Sequence, residues 1–212
     1  MPKRAIVLLS GGIDSATCLY VAKKEKFLPH CLIFDYGQKH KREIESAKKL
    51  ARKAGVGFSI CKTYFPWKGS SLIDPRIKIP KRGRGIPSTY VPARNMIFLS
   101  FALSCAEAMG AKAVFIGANA VDFSGYPDCR PDFYRAFSAA LKKGLKNKNI
   151  SIKTPLIRKK KSEIIILGKS LGVPYELTWS CYRGGMAPCR VCDSCRFRAK
   201  GFREAGFEDP LV

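Results

Sequence analysis

Ala5-Ile6-Val7-Leu8-Leu9-Ser10-Gly11-Gly12-Ile13-Asp14-Ser15 is the stretch that decides the fold. A short apolar run reads as a buried strand, and Ser10-Gly11-Gly12 as the tight turn that ends it. Asp14 and Ser15 read as N-cap residues for a helix from Ala16 to Lys24. The same rhythm continues downstream. Cys31 to Phe34 is a second strand, closed by Asp35-Tyr36-Gly37. A helix from Lys39 to Ala54 carries Ile44, Ala47, Leu50, Ala51 and Ala54 on one face, with Gly55 as its stop. Gly57 to Phe65 is a third strand and Ala113 to Ile116 a fourth, with an apolar helix from Ala93 to Met109 before the latter. A helix over 131–146, a fifth strand from Ile150 to Thr154 and a helix from Ser162 to Leu171 complete the pattern. Strands alternating with helices predict an α/β fold: a doubly wound, parallel five-stranded sheet covered on both faces. In such sheets ligands sit at the carboxyl ends of the strands, where Ser10–Ser15, Asp35–His40 and Gly117–Arg130 fall.

The stretch 66–92 breaks the rhythm with Pro66, Pro75, Pro80, Pro87 and Pro92 and a basic cluster from Lys78 to Arg84. A loop this long in a compact domain is expected to be functional or mobile. At 212 residues and 46% hydrophobic, the chain suits one core domain with a small appendage. We divide it at 1–175 and 176–212. No apolar run approaches the ~20 residues of a membrane span, and the apolar run after Arg4 is too short for a secretory signal. A cytoplasmic location is expected. Thirty-nine Lys and Arg against 16 Asp and Glu give +23, which favours anionic partners or a solvated basic surface equally.

Five of the nine cysteines are scattered (Cys18, Cys31, Cys61, Cys105, Cys129) and read as small buried hydrophobes. The others form Cys181-x7-Cys189-x2-Cys192-x2-Cys195. Cys-x2-Cys turns aim two sulfurs at one metal, and four thiolates fill a tetrahedral Zn²⁺ with no open position. An iron–sulfur cluster also suits this spacing.

In the opening loop, Gly11 and Gly12 let the backbone approach a ligand closely. The loop amides and helix N-terminus present donors to an anion, and Ser10 and Ser15 add hydroxyls. Asp14 repels phosphate, so it is expected to cap the helix or hold Mg²⁺. The spacing is neither that of the P-loop nor of the dinucleotide fingerprint. It resembles the Ser-Gly-Gly-x-Asp-Ser loop of the PP-loop ATP-pyrophosphatase superfamily. That implies an adenine nucleotide alpha-hydrolase-like, Rossmann-like fold, with ATP held by its β- and γ-phosphates while a substrate oxygen attacks the α-phosphate.

Further segments narrow the resemblance: Asp35-Tyr36-Gly37-Gln38-Lys39-His40, Val91-Pro92-Ala93-Arg94-Asn95, Asp122-Phe123-Ser124-Gly125-Tyr126-Pro127-Asp128-Cys129-Arg130-Pro131, Lys153-Thr154-Pro155-Leu156 and Trp179-Ser180-Cys181-Tyr182. Together, over residues 5–205, they are similar to the 7-cyano-7-deazaguanine synthase family of queuosine biosynthesis. Ile13 stands where many members carry Gln, and the Cys181–Cys189 gap is shorter than in familiar members.

The resemblance implies ATP-dependent conversion of 7-carboxy-7-deazaguanine and ammonia to 7-cyano-7-deazaguanine through an activated carboxylate, most simply an acyl-adenylate, and an amide. It implies ATP contacts at Leu9, Ser10, Gly11, Gly12, Ile13, Asp14, Ser15, Ala16, Thr17, Cys18, Leu19 and Asp35. Asp14, Ser15, Arg94, Lys153 and Lys161 are the implied catalytic groups. Asn95, Asp122, Asp128 and Arg130 are candidate substrate contacts, the carboxylates to read a guanine-like edge and Arg130 to meet the substrate carboxylate. Gln38 and His40 could line the pocket. Zn²⁺ on the four cysteines, Mg²⁺ with ATP, a homodimer and no need for nucleic acid follow from the same resemblance. The rival readings are a PP-loop tRNA-modifying enzyme, thiolating a base with a Cys-bound metal centre, and a non-enzymatic zinc protein that binds nucleic acid. The intact loop argues against the last.

Overall fold

The structure, a computed structural model, describes residues 2–39, 41–80, 86–119 and 126–211. Five parallel strands, β1 (Lys3–Leu8), β2 (Phe27–Asp35), β3 (Gly57–Lys62), β4 (Ala113–Ile116) and β5 (Ser151–Lys153), form one sheet in the order β3-β2-β1-β4-β5. The helices are α1 (Ile13–Lys24), α2 (Arg42–Lys53), α3 (Arg94–Ala108), α4 (Pro131–Gly144), α5 (Lys161–Ser170) and α6 (Asp193–Glu204). The doubly wound parallel sheet is therefore as expected.

Side chains alternate strictly across the sheet, as the two-residue strand period demands. Ala5, Val7, Cys31, Ile33, Ala113 and Phe115 point to one side, where they pack with α1, α2 and α5. Ile6, Leu8, Leu32, Phe34, Val114 and Ile116 point to the other and meet α3 and α4. Both faces are covered, so the strands read as continuous apolar runs.

Two boundaries and one helix differ from expectation for identifiable reasons. β2 starts at Phe27, upstream of Pro29 and His30. Its first three residues pair only with β1, and β3 joins from His30 onward, so the missing Pro29 N–H can face an open edge. α1 starts at Ile13, with Gly12 as N-cap and no side-chain cap; Asp14 and Ser15 lie inside its first turn and do not cap it. α6 was not foreseen, because its residues are largely charged and Gly201 interrupts it. A Cβ at Gly201 would run into the Lys161 side chain and come within 3.0 Å of Ile165, so that glycine is what lets α6 lie against α5.

The proline-rich stretch folds back over the sheet around buried Ser70, Ser71, Asp74 and Thr89. It places Leu72 beside Phe65 and Phe34 in the core.

Candidate active site and metal centre

Strand order reverses between β1 and β4, and a cleft of about 300 Å³ opens there at the carboxyl ends of β1, β2 and β4. Its floor is the opening loop. Ser15 Oγ is the loop's centre: it accepts from the Ser10 amide (3.2 Å) and the Ser10 hydroxyl (3.0 Å) and donates to the Gly12 carbonyl (3.1 Å). Gly11 has φ +89°, and a Cβ there would collide with the Glu43 carbonyl of α2. Gly11 is thus bare because a helix presses on it. Of the two loop glycines, Gly12 is the one that lines the cleft. Gly117, just after β4, is bare because the backbone of Asp14 lies 2.8 Å from where its Cβ would be.

Asp14 is gripped by Lys161, whose Nζ donates to both carboxylate oxygens at 2.6 and 2.7 Å. The loop's negative charge is therefore balanced by an α5 lysine that α6 pins through Gly201. Both residues line the cleft, with Leu9, Ser10, Ile13 and Ser15.

The opposite wall is aromatic. Arg94, at the start of α3, donates from Nη1 to the Tyr36 hydroxyl at 3.2 Å and lies 5.8 Å from the centre of that ring. Burial acts to lower its pKa, but Tyr36, Tyr126 and Tyr182 together hold it above its ordinary value, so the guanidinium stays charged. Ala93 before it has φ +55°, a strained position for alanine of the kind that clusters at functional sites. The Ala93 amide is tied to the Tyr90 hydroxyl at 3.1 Å. Phe98, Tyr126 and Tyr182 extend the wall, and Phe98 stacks on Phe34 at 3.8 Å. Glu43 of α2 faces the same space. Burial pushes its carboxyl up to about 7, partly offset by Arg94.

Other expected site residues are dispersed. Asn95 lines the cleft, with its Nδ2 3.2 Å from Cys129 Sγ. Asp128 is buried beside the cleft and accepts the Asn95 amide at 3.0 Å, satisfying the start of α3. Ala16, Thr17, Cys18 and Leu19 are buried behind the loop in the core of α1, where Thr17 Oγ1 bonds the Ile13 carbonyl and the Tyr175 hydroxyl. Asp35 is off the cleft wall, 3.6 Å from Lys41. Lys153 also lies off it, 3.5 Å from Glu25, and Arg130 is exposed. Gln38 is on the wall and braces the turn, accepting the Tyr36 amide at 2.8 Å. Asp122 and His40 lie outside the described residues.

In the tail, the sulfurs of Cys181, Cys189, Cys192 and Cys195 all lie within 4.8 Å of one another, a site able to hold a metal ion. Backbone amides already point at them: Arg183 and Cys189 donate to Cys181 Sγ at 3.4 and 3.3 Å, and Cys192 to Cys189 Sγ at 3.4 Å. Hydrogen bonds from Cys195 hold the Cys192 thiol down to about 5. Buried Arg198 locks the tail. It bonds Asp209 at 2.8 Å, Thr178 Oγ1 at 2.7 Å and the Tyr175 carbonyl at 3.3 Å. The segment so held delivers the Trp179 amide to the Gly11 carbonyl at 2.9 Å. The segment leading into the four-cysteine cluster is thus tied to the opening loop by this hydrogen bond.

The sequence profile of queuosine biosynthesis protein QueC matches residues 4–206. The chain belongs to the QueC family. Among QueC-type relatives, the 7-cyano-7-deazaguanine synthase of Trichodesmium erythraeum is 49% identical over 99% of this chain and 100% of its own. The 7-cyano-7-deazaguanine synthase of Thermoplasma volcanium is 49% identical over 100% of this chain and 91% of its own. In fold alone, this chain is similar to the U34-tRNA thiolase NcsA of Methanococcus maripaludis (TM-score 0.52, 18% identity, 96% of this chain and 65% of that one).

Glu43, Phe98, Tyr182 and Arg198 had no site role in the sequence pattern, and Tyr36 and Gly117 lay in the strand-end stretches without one. Tyr36 and Tyr182 stand inside quoted motifs and were visible there. Glu43 stands in the first turn of α2 and carried only the pattern of an amphipathic helix.

Proposed function

We propose that this chain is a 7-cyano-7-deazaguanine synthase, converting 7-carboxy-7-deazaguanine, ammonia and ATP to the nitrile. The observation that carries the reading is the Ser-Gly-Gly-x-Asp-Ser loop on the cleft floor, in a chain that matches synthases of this name along nearly its whole length. A carboxylate is a poor electrophile. Its oxygen attacks the α-phosphorus of ATP, pyrophosphate leaves, and an acyl-adenylate forms. Ammonia adds to the acyl carbon and expels AMP, giving the amide. The amide oxygen is adenylated in turn, and loss of AMP and a proton gives the nitrile. No protein nucleophile is needed; positioning and charge neutralisation suffice.

Roles are assigned by position. The amides of Ser10 to Ser15 and the α1 N-terminus hold the phosphates, with Ser10 and Ser15 organising the turn. Lys161 is shared between Asp14 and the incoming phosphates, and Arg94 neutralises charge from the far wall. Mg²⁺, when bound with ATP, would screen the phosphates, and Asp14 is the carboxylate at hand to meet it. Ala16, Thr17, Cys18 and Leu19 support the loop from behind, and we give Asp35, Lys153 and Arg130 no catalytic step.

Zinc is the proposed metal. Four sulfurs on one Zn²⁺ at ~2.3 Å stand about 3.8 Å apart, and the spacing here, within 4.8 Å, is near that. Sulfurs that each cap a different iron of a cluster stand farther apart. A closed four-thiolate site supplies fold, not chemistry, so residues 176–212 act as a structural clamp on 1–175. No helix among the described residues is long and apolar enough to cross a membrane; we place the enzyme in the cytoplasm, without a requirement for nucleic acid. Exposed Met96 and Phe101 on α3 suit a homodimer.

Mass spectrometry of a reaction holding 7-carboxy-7-deazaguanine, ammonium and ATP tests the reading. The nitrile and AMP are expected; tRNA-dependent ATP turnover with no nitrile would overturn it.

A further inference from the structure

Glu43 stands apart from every other acidic group on the cleft. Asp14 has Lys161 on both oxygens, and Asp128 beside the cleft holds the Asn95 amide. Among the described residues no hydrogen-bond donor or ion-pair partner meets the Glu43 carboxyl, although the side chain lines the cleft and is half-buried. A withdrawn carboxylate without donors is unfavourable unless a ligand brings them. The surroundings say what kind. Tyr36, Phe98, Tyr126 and Tyr182 line the cleft with it, an aromatic lining suited to a flat heterocycle. Arg94 is near enough to act on the Glu43 charge, so a second cation placed there would be repelled, whereas neutral N–H donors would not. A carboxylate has two oxygens side by side, which suits two adjacent N–H groups.

Resting on the synthase reading above, we propose that Glu43 is the specificity residue for the nucleobase: its carboxylate accepts the ring N1–H and the exocyclic 2-amino group of the guanine-like substrate. Gripped at its six-membered ring, the bicycle projects the carboxyl on its five-membered ring away from Glu43 and into the cleft. The backbone of Glu43 packs on Gly11, so the reader and the phosphate loop are built on one contact. This moves base reading from Asp128 to α2.

The test compares 7-carboxy-7-deazaguanine with its analogue lacking the 2-amino group, in the full-length wild type and in Glu43→Gln and Glu43→Asp. A bidentate carboxylate–base pair is worth roughly 10- to 100-fold in discrimination. The wild type is expected to favour the amino-bearing compound by about that factor in kcat/KM. In Glu43→Gln the preference should shrink to within about threefold, with KM for the base raised about tenfold and kcat and the KM for ammonium little changed; Glu43→Asp should restore part of it. Undiminished discrimination in Glu43→Gln would overturn the proposal, as would a rise confined to the ammonium KM, which would make Glu43 an ammonium site. Calorimetric binding of the two bases to both proteins reads the same preference without turnover. A wild type that binds with the expected preference but forms no nitrile would sink the synthase reading alone.

Discussion

The two walls of the cleft are made in opposite ways. The floor is one continuous run, Leu9 to Ser15, whose hydrogen bonds close on themselves through Ser15 Oγ. The far wall gathers Tyr36, Glu43, Arg94, Phe98, Tyr126 and Tyr182 from five separate places in the chain, Arg94 and Phe98 both lying on α3. The floor is a local device, its side-chain hydrogen bonds made within Ser10–Ser15. The wall exists only when β2, α2, α3 and the tail are all in place, and it is where we propose that the substrate is read.

The two loop glycines test that contrast most severely. Gly11→Val puts a branched side chain at φ +89° into the Glu43 carbonyl. Strain and overpacking together should remove at least about 3 kcal/mol, and a thermal melt should show gross loss of folded protein. Gly12 has φ −84° and ψ 171°, with its nearest contact from an added Cβ at 3.6 Å. Gly12→Ala should fold normally yet raise the KM for ATP at least tenfold. Equal behaviour of the two variants would mean that the floor is not divided between support and binding as described.

Next in size is the clamp. Arg198→Met leaves Asp209 buried without its partner, a change that costs about 3–5 kcal/mol, and should lower the melting temperature sharply. Because the segment it holds donates Trp179 N–H to Gly11, ATP affinity should fall even at temperatures where the variant remains folded. Metal removal by a chelator should act in the same direction. The check is a fluorescent-nucleotide titration with and without metal. Unchanged affinity after metal loss would separate tail from floor.

Lys161→Met frees Asp14 at the loop, where its charge opposes the phosphates. Turnover should drop by about 100-fold or more, on the scale of removing one electrostatic donor, with little loss of thermal stability. Asp14→Asn in the same background should recover part of the ATP affinity, which a double-mutant cycle measures.

These expectations also mark what could be read before folding. Strand alternation, the loop and the Cys-x2-Cys spacings are short-range patterns, and the sheet and four-thiolate cluster follow them closely. Gly117 and Gly201 were unreadable because each is bare for the sake of a distant partner, Asp14 in one case and Lys161 in the other. Lys153 looked well placed at a strand exit, but its side chain pairs with Glu25, off the cleft wall. A strand's exit points toward the site, and the side chain need not. Thr17 and Cys18 followed the motif in sequence, yet the helical turn carries them into the core.

The smallest expected effect concerns stability of the wall itself. Glu43 has its pKa raised by burial from an ordinary 4.5 to about 7 in the fold. The groups that act on it are Arg94 from α3, which favours the charged form, and the phenols Tyr36 and Tyr182, neutral near pH 7. A raised carboxyl pKa means the folded state binds more protons than the unfolded one between those limits, so the wild type loses stability as pH climbs from about 4.5 to 7. Glutamine does not titrate. Glu43→Gln should match the wild type near pH 4.5 and exceed it at pH 8 by about 1–2 kcal/mol, less than the full shift implies because the group is only half-buried. Denaturant melts at the two pH values measure this. A more stable but less selective variant would show that the wall keeps an unfavourable carboxylate for recognition, whereas a uniformly destabilised one would make Glu43 a packing residue of α2.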